Sequence, residues 1–282
     1  MIKNILLDLD DTILDFHRAE RIALSTTLKK IGIEPTEETL TLYSKINLAH
    51  WKRLEIGELT RHEVLHGRFT ELFNALGVTG DCYEAQRIYE WELGTGHYFM
   101  EGGLELLDAL HGKYNVYLAS NGTDIVQTRR IASADIGKYF KELFISQRIG
   151  YDKPNPEYFR ICFERIPDFK KEETVIIGDS LSSDIKGGIL AGIRTVWFNP
   201  KGLTAPEELT PDYDVRVLSV IPETSVLAVA VESADSLSAL LDAHDTAITA
   251  NALTNKNLIF FIIIFILFCY YSLIHAPTIS AI

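Results

Sequence analysis

The sequence predicts an α/β fold, a doubly wound parallel sheet with an inserted helical cap domain, and three observations predict it. Short β-branched and Leu-rich runs recur at residues 2–8, 115–119, 143–146, 174–178 and 194–198, apolar enough for strands buried on both faces. Segments with helical spacing of apolar residues, at 123–136, 156–165 and 183–191, alternate with the later runs, which is the pattern of βαβ units. About a hundred mostly helical residues separate the first run from the second, where a parallel crossover needs only about a dozen.

In chain order, the first run ends in acid at Asp8, and helical patterns follow at 16–31, 36–54, 60–76 and 82–94. Gly77, Gly80 and the pair Gly102-Gly103 punctuate this stretch, so the simplest account is a helical cap inserted after the first strand and returning near Glu101. The expected division is a core of 1–15 and 101–222, a cap of 16–100, a linker of 223–257 and a separate apolar segment of 258–274. No repeat of solenoid length is visible.

Composition narrows the function classes. The 282 residues are 47% hydrophobic and 23% charged, which excludes collagen-like and wholly disordered chains. With 27 Lys+Arg against 39 Asp+Glu the net charge is −12, which argues against a phosphate-tracking surface and hence against nucleic acid as a partner. The three cysteines, Cys82, Cys162 and Cys269, are scattered and fit neither a disulfide framework nor a zinc site. The first apolar run is broken at Asp8, too early for a secretory signal, so a cytoplasmic catalytic domain is expected.

Residues 258–274, LIFFIIIFILFCYYSLI, carry no charge. At about 1.5 Å per residue they span about 26 Å as a helix, a little under the ~30 Å of a bilayer core. A tail anchor to a membrane is the leading expectation, set against a foreign extension and a buried element.

In open α/β sheets reactive groups gather at the carboxyl ends of strands. Here the first run ends in Asp8-Leu9-Asp10-Asp11-Thr12 and the second in Ser120-Asn121-Gly122. Lys153-Pro154 follows the third, and Gly178-Asp179-Ser180 with Asp184 beyond follows the fourth. Carboxylates brought together repel unless a hard cation lies between them, and Mg2+ takes oxygen ligands with phosphate completing its shell. A carboxylate can then serve as nucleophile while a second acid handles the proton, and an ammonium and a hydroxyl hold the phosphate oxygens. The set suits phosphoryl transfer.

This ordered series, D-x-D-x-T, S-N-G, K-P and G-D-x-x-x-x-D, resembles the haloacid dehalogenase superfamily of phosphohydrolases over about residues 2–220. The resemblance implies a Rossmann-like core, Asp8 as nucleophile, Asp10 as general acid and base, and Thr12 as an orienting hydroxyl. It further implies Ser120 and Asn121 as phosphate binders and Lys153 as stabiliser of the phosphoryl charge. Magnesium would be held by Asp8, the Asp10 carbonyl and Asp179, with Asp184 directly or one shell out. The second Asp argues against dehalogenation, and Asp11-Thr12 against the mutase branch, which has Gly-Val there.

The stretches around Trp51, Glu55 to Thr60, and His66 to Phe69 are similar to the noncanonical pyrimidine 5′-nucleotidases of that superfamily, which implies Trp51, His66 and Arg68 as substrate contacts. The expected activity is hydrolysis of a small-molecule phosphomonoester, a pyrimidine nucleoside 5′-monophosphate. The alternatives are a sugar phosphate or phosphoglycolate phosphatase, and a catalytically silent phosphometabolite-binding module. Nothing in the sequence sets an oligomeric state.

Overall fold

The computed structural model describes residues 1–223. The apolar segment 258–274 and nearly all of the linker before it lie outside the described residues. No described helix is long and apolar enough to cross a membrane.

β1 (Asn4–Leu7) leads into four helices, α1 (Phe16–Lys30), α2 (Glu37–Glu55), α3 (Arg61–Leu76) and α4 (Cys82–Leu93). There follow α5 (Gly103–Leu110), β2 (Asn115–Ser120), α6 (Asp124–Ser133), β3 (Leu143–Ile145), α7 (Ser146–Ile149) and α8 (Pro156–Arg165). The chain continues through β4 (Thr174–Gly178), α9 (Lys186–Ala191), β5 (Arg194–Phe198) and β6 (Tyr213–Val215). The strands form one parallel sheet in the order β3-β2-β1-β4-β5-β6.

That order places β1 between β2 and β4, with Leu7 in register with both Leu118 and Ile177. Chain direction across the sheet reverses at β1, so the loops leaving β1, β2 and β4 diverge at one edge and open a crevice. Alternation along the strands fills both faces. Ile5, Leu7, Val116, Leu118, Val175 and Ile177 pack with α5 and α6 on one side. Leu6, Tyr117, Ala119 and Ile176 pack with α8 and α9 on the other. Both faces being covered is why these strands read as unbroken apolar runs.

The inserted helices have an apolar cluster of their own. Leu24 and Leu28 of α1, Tyr43 and Ile46 of α2, Phe69 and Leu72 of α3, and Tyr89 and Leu93 of α4 meet in it. Side chains start these helices by accepting the first free backbone N–H groups: Asp15 for α1, Thr36 for α2, Thr60 with Glu63 in a reciprocal pair for α3, and Asp81 for α4. Gly77 ends α3 at φ +65°, a conformation that costs glycine nothing.

Two elements go beyond the sequence expectation. α5 begins within the Gly102-Gly103 pair, with Gly102 as its cap, where the sequence marks only a boundary, and the helix inserts Leu106, Leu107 and Leu110 into the core. β6 is three residues long, too short for any periodicity, and takes its conformation from pairing with β5 at the sheet edge. The helix expected at 183–191 is divided: Leu181–Ile185 forms a π-helical turn before α9.

Phe69 is fully buried in the helical cluster. Phe69→Ala should cost about 3–5 kcal/mol in urea unfolding through the cavity it leaves, whereas Val78→Ala, at an exposed loop position, should stay within about 0.5 kcal/mol.

Candidate active site

The strand ends bring the expected residues together at the crevice. Asp8 follows β1, and its backbone N–H still bonds Ile177 of β4 at 2.9 Å. Ser120 closes β2, Asp179 follows β4, and the π-helical turn returns Asp184 beneath it. Lys153 enters from the loop between α7 and α8 and is 1% exposed. Its ammonium donates to Asp8 Oδ1 at 2.8 Å, to Asp184 Oδ1 at 2.6 Å and to the Ala119 carbonyl.

One carboxylate oxygen each from Asp8, Asp179 and Asp184 lies within 4.8 Å of the others. Burial, with the neighbouring Asp184 and Asp10 charges, outweighs Lys153 and pushes the Asp8 carboxyl up to about 8. Burial and then the charges of Asp8 and Asp184 push Asp179 well above the usual carboxylate range. Burial also disfavours the charged Lys153, but Asp184 and Asp8 more than compensate and hold it as an ammonium. Two buried carboxylates and the half-buried Asp179 around one ammonium leave negative charge that a divalent cation would neutralise, and an all-oxygen set fits magnesium.

Two glycines give the loops their room. A Cβ at Gly178 would stand 2.2 Å from Asp184 Oδ2, and one at Gly122 would stand 2.3 Å from Gln127 Nε2. Glycine at these positions lets one residue's backbone pass against another's functional side chain.

Asn121 occupies the crevice in a different way from the sequence expectation. Its Oδ1 accepts from the Lys153 N–H at 2.8 Å and its Nδ2 donates to the Lys153 carbonyl at 2.8 Å, so the amide clamps the backbone that presents the ammonium. Ser120 Oγ accepts from Gly122 N–H and from Gln127 Nε2 at 2.8 Å. The Thr12 hydroxyl is buried without a partner among the described residues.

Several contributors were not legible in the sequence. Arg130, fully buried on α6, ion-pairs with Asp10, and Gln127 on the same face donates to the other Asp10 oxygen at 2.6 Å. Arg61 at the start of α3 bonds the Asn121 carbonyl, Ser146 Oγ and Asp152, beside Lys153. Ser182 donates to Glu55 at 2.7 Å. Only the spacing of Gln127 and Arg130, three apart on a helix leaving the S-N-G loop, was a signal that could have found any of them.

Above the carboxylates the crevice opens into a cavity of about 260 Å³ that the inserted helices also line. Trp51 and Arg68 line it together with Asp8, Asp10, Ser120 and Lys153. His66 does not: it bonds the His62 carbonyl and lies against the Tyr83 ring at 4.2 Å between centroids, away from the cavity.

A family model for haloacid dehalogenase-like hydrolases matches residues 2–192. Among curated proteins, YfnB of Bacillus subtilis is 38% identical over 77% of this chain and 92% of its own length. The pyrimidine 5′-nucleotidase PynA of Streptococcus pneumoniae is 38% identical over 76% of this chain and 90% of its own. The pyrimidine 5′-nucleotidase YjjG of Escherichia coli is 29% identical over 76% and 93%. The crystal structure of YfnB bound to magnesium superposes with a TM-score of 0.76, covering 81% of this chain and 99% of that one at 37% identity.

The buried ion triad makes a stability prediction. Lys153→Met leaves Asp8 and Asp184 without their cation, and metal-free protein should lose about 3–5 kcal/mol at alkaline pH. With the folded-state carboxyls of Asp8 and Asp179 raised, the folded protein keeps protons that the unfolded chain has released above about 4. Folding is then favoured as pH falls, so the deficit, read from urea unfolding, should shrink between about pH 9 and about pH 6.

Proposed function

We propose that this chain, which belongs to the haloacid dehalogenase-like hydrolase family, is a magnesium-dependent phosphatase of pyrimidine nucleoside 5′-monophosphates working through an aspartyl-phosphate at Asp8. What carries the reading is that two pyrimidine 5′-nucleotidases match it over nine-tenths of their own length, while Asp8, Asp10, Ser120, Lys153, Asp179 and Asp184 line one cavity. The inserted helices of residues 16–100 act as the cap over a core of 1–15 and 101–222, and the cavity between them encloses the substrate.

Asp8, Asp179, Asp184 and the Asp10 carbonyl would hold magnesium, which when bound offsets the carboxylate charge and polarises the phosphoryl group. An Asp8 oxygen attacks phosphorus, forming the P–O bond of the aspartyl-phosphate as the bond to the 5′ oxygen breaks, and Asp10 gives that oxygen a proton. Water then attacks the phosphorus, Asp10 takes its proton, and inorganic phosphate leaves with Asp8 restored. Lys153 and Ser120 neutralise and hold the phosphoryl oxygens; the hydroxyl of Thr12, expected to orient the nucleophile, is buried with no partner among the described residues. Asn121 acts by clamping Lys153.

The cavity supports a small substrate, since its volume lies just under the ~300–1,000 Å³ usual for small-molecule sites. Its wall also counts against the phosphoglycolate alternative: Glu20, Glu55 and Glu90 line it with Arg68, and a distal carboxylate would meet them. Retention of every catalytic position counts against a silent binding module.

Hydrolysis of p-nitrophenyl phosphate should require magnesium, stop with EDTA, and fall at least 1,000-fold in Asp8→Asn, about 4 kcal/mol of barrier; equal rates in all three conditions would reject the enzymatic reading. Across UMP, dUMP, dTMP, AMP, glucose 6-phosphate and phosphoglycolate, the pyrimidine nucleotides should lead in kcat/KM. A tenfold preference for a sugar phosphate, about 1.4 kcal/mol, would overturn the substrate assignment.

A further inference from the structure

The wall of the cavity built by the inserted helices is polar where its surroundings are apolar. Glu20 of α1 is 2% exposed, and its carboxylate accepts from Asn47 Nδ2 at 2.6 Å and from the Ser44 hydroxyl. Asn47 Oδ1 accepts in turn from Arg68 at 2.6 Å, and Arg68 donates a second bond to Gln86 Oε1 at 2.9 Å. Around them stand the rings of Tyr43, Phe69 and Tyr89, with the Arg68 guanidinium 5.0 Å from the Tyr89 centroid.

Packing alone does not call for this arrangement. An acid and a base have been carried into an aromatic cluster, yet they meet only through the neutral Asn47, and hydrogen-bonding capacity is left over. Arg68 Nε is buried with no partner among the described residues. Each Glu20 oxygen receives one bond where it can accept two. Glu20, Ser44, Asn47 and Arg68 all line the cavity that contains Asp8. The spare groups are thus the buried Arg68 Nε and the second lone pairs of the Glu20 oxygens, on two residues that both line the cavity.

Resting on the nucleotide reading above, we propose that Glu20, Asn47 and Arg68 form a base-reading wall selective for the imide edge of a uracil- or thymine-type ring. The ring N3–H donates to Glu20, and the adjacent carbonyl accepts from Arg68, with Asn47 fixing the spacing of the two. Trp51, half-buried on the same cavity, offers an apolar face to the ring. A cytosine ring, whose N3 is an acceptor, presents a lone pair to the Glu20 carboxylate and is disfavoured. A sugar phosphate offers no such paired donor and acceptor, and leaves the wall unsatisfied.

The test uses the magnesium-loaded full chain and a ligand pair differing only at N3. UMP should exceed N3-methyl-UMP in kcat/KM at least 100-fold, and uridine, but not 3-methyluridine, should competitively inhibit hydrolysis of p-nitrophenyl phosphate. These wild-type measurements do not depend on any variant folding. Glu20→Gln and Arg68→Lys should reduce kcat/KM for UMP at least tenfold more than for p-nitrophenyl phosphate, and should weaken inhibition by uridine to a similar degree. Equal loss on both substrates, or equal inhibition of the wild type by uridine and 3-methyluridine, would overturn the wall. UMP no better than ribose 5-phosphate would remove the nucleotide reading and the wall with it, whereas a preference for UMP that tolerates the N3 methyl removes the wall alone.

Discussion

The Lys153 ammonium is the contact on which the catalytic end of the molecule depends. It is held by the carboxylates that follow β1 and β4 and by the last carbonyl but one of β2, so three adjacent strands converge on a single buried charge. Without it, Asp8 and Asp184 would face each other in a medium where like charges interact several times more strongly than in water. With it, burial and then the repulsion among the neighbouring acids still push the Asp8 and Asp179 carboxyls up. A divalent cation would offset that repulsion.

Much of the neighbouring structure serves to keep that ammonium in place. Asn121 grips the Lys153 backbone from both sides, and Arg61 reaches from α3 to the Asn121 carbonyl and to Asp152 next in chain. The absence of a side chain at Gly178 lets the Asp184 carboxylate lie against the β4 terminus. Residues around the cluster thereby set the position of its charged groups, as a preorganised electrostatic site requires.

The two parts of the chain divide the work. Strand ends supply the converging acids, because a hydrogen-bonded sheet buried on both faces holds them rigidly. The inserted helices supply the cavity wall, anchored to the core by Arg61, by Glu55 with Ser182, and by Arg130 with the Gly96 carbonyl. Selectivity placed on the helices can vary while the chemistry of the sheet edge is kept.

The strands, the inserted helices and the motif residues were legible in the sequence because each follows from local signals: apolar runs, helical spacing, capping residues and the acids at strand ends. Asp8, Asp10, Lys153, Asp179 and Asp184 could be named in advance since they follow strand ends, the first two after β1, Lys153 after β3 and the last two after β4. The β6 edge strand could not, since Tyr213–Val215 has no pattern apart from its partner β5. Neither could the grip of Arg130 on Asp10, across 120 positions, nor the Glu20–Asn47–Arg68 wall, whose members sit on three different helices. The His66 ring, expected in the site, turns instead to Tyr83, because which side of a helix meets the cavity is set by packing against the other helices. The chain alone thus determined which chemistry was available and on which strands. Tertiary structure alone decided which side chains share a hydrogen bond, since that depends on distances in space that sequence separation does not encode.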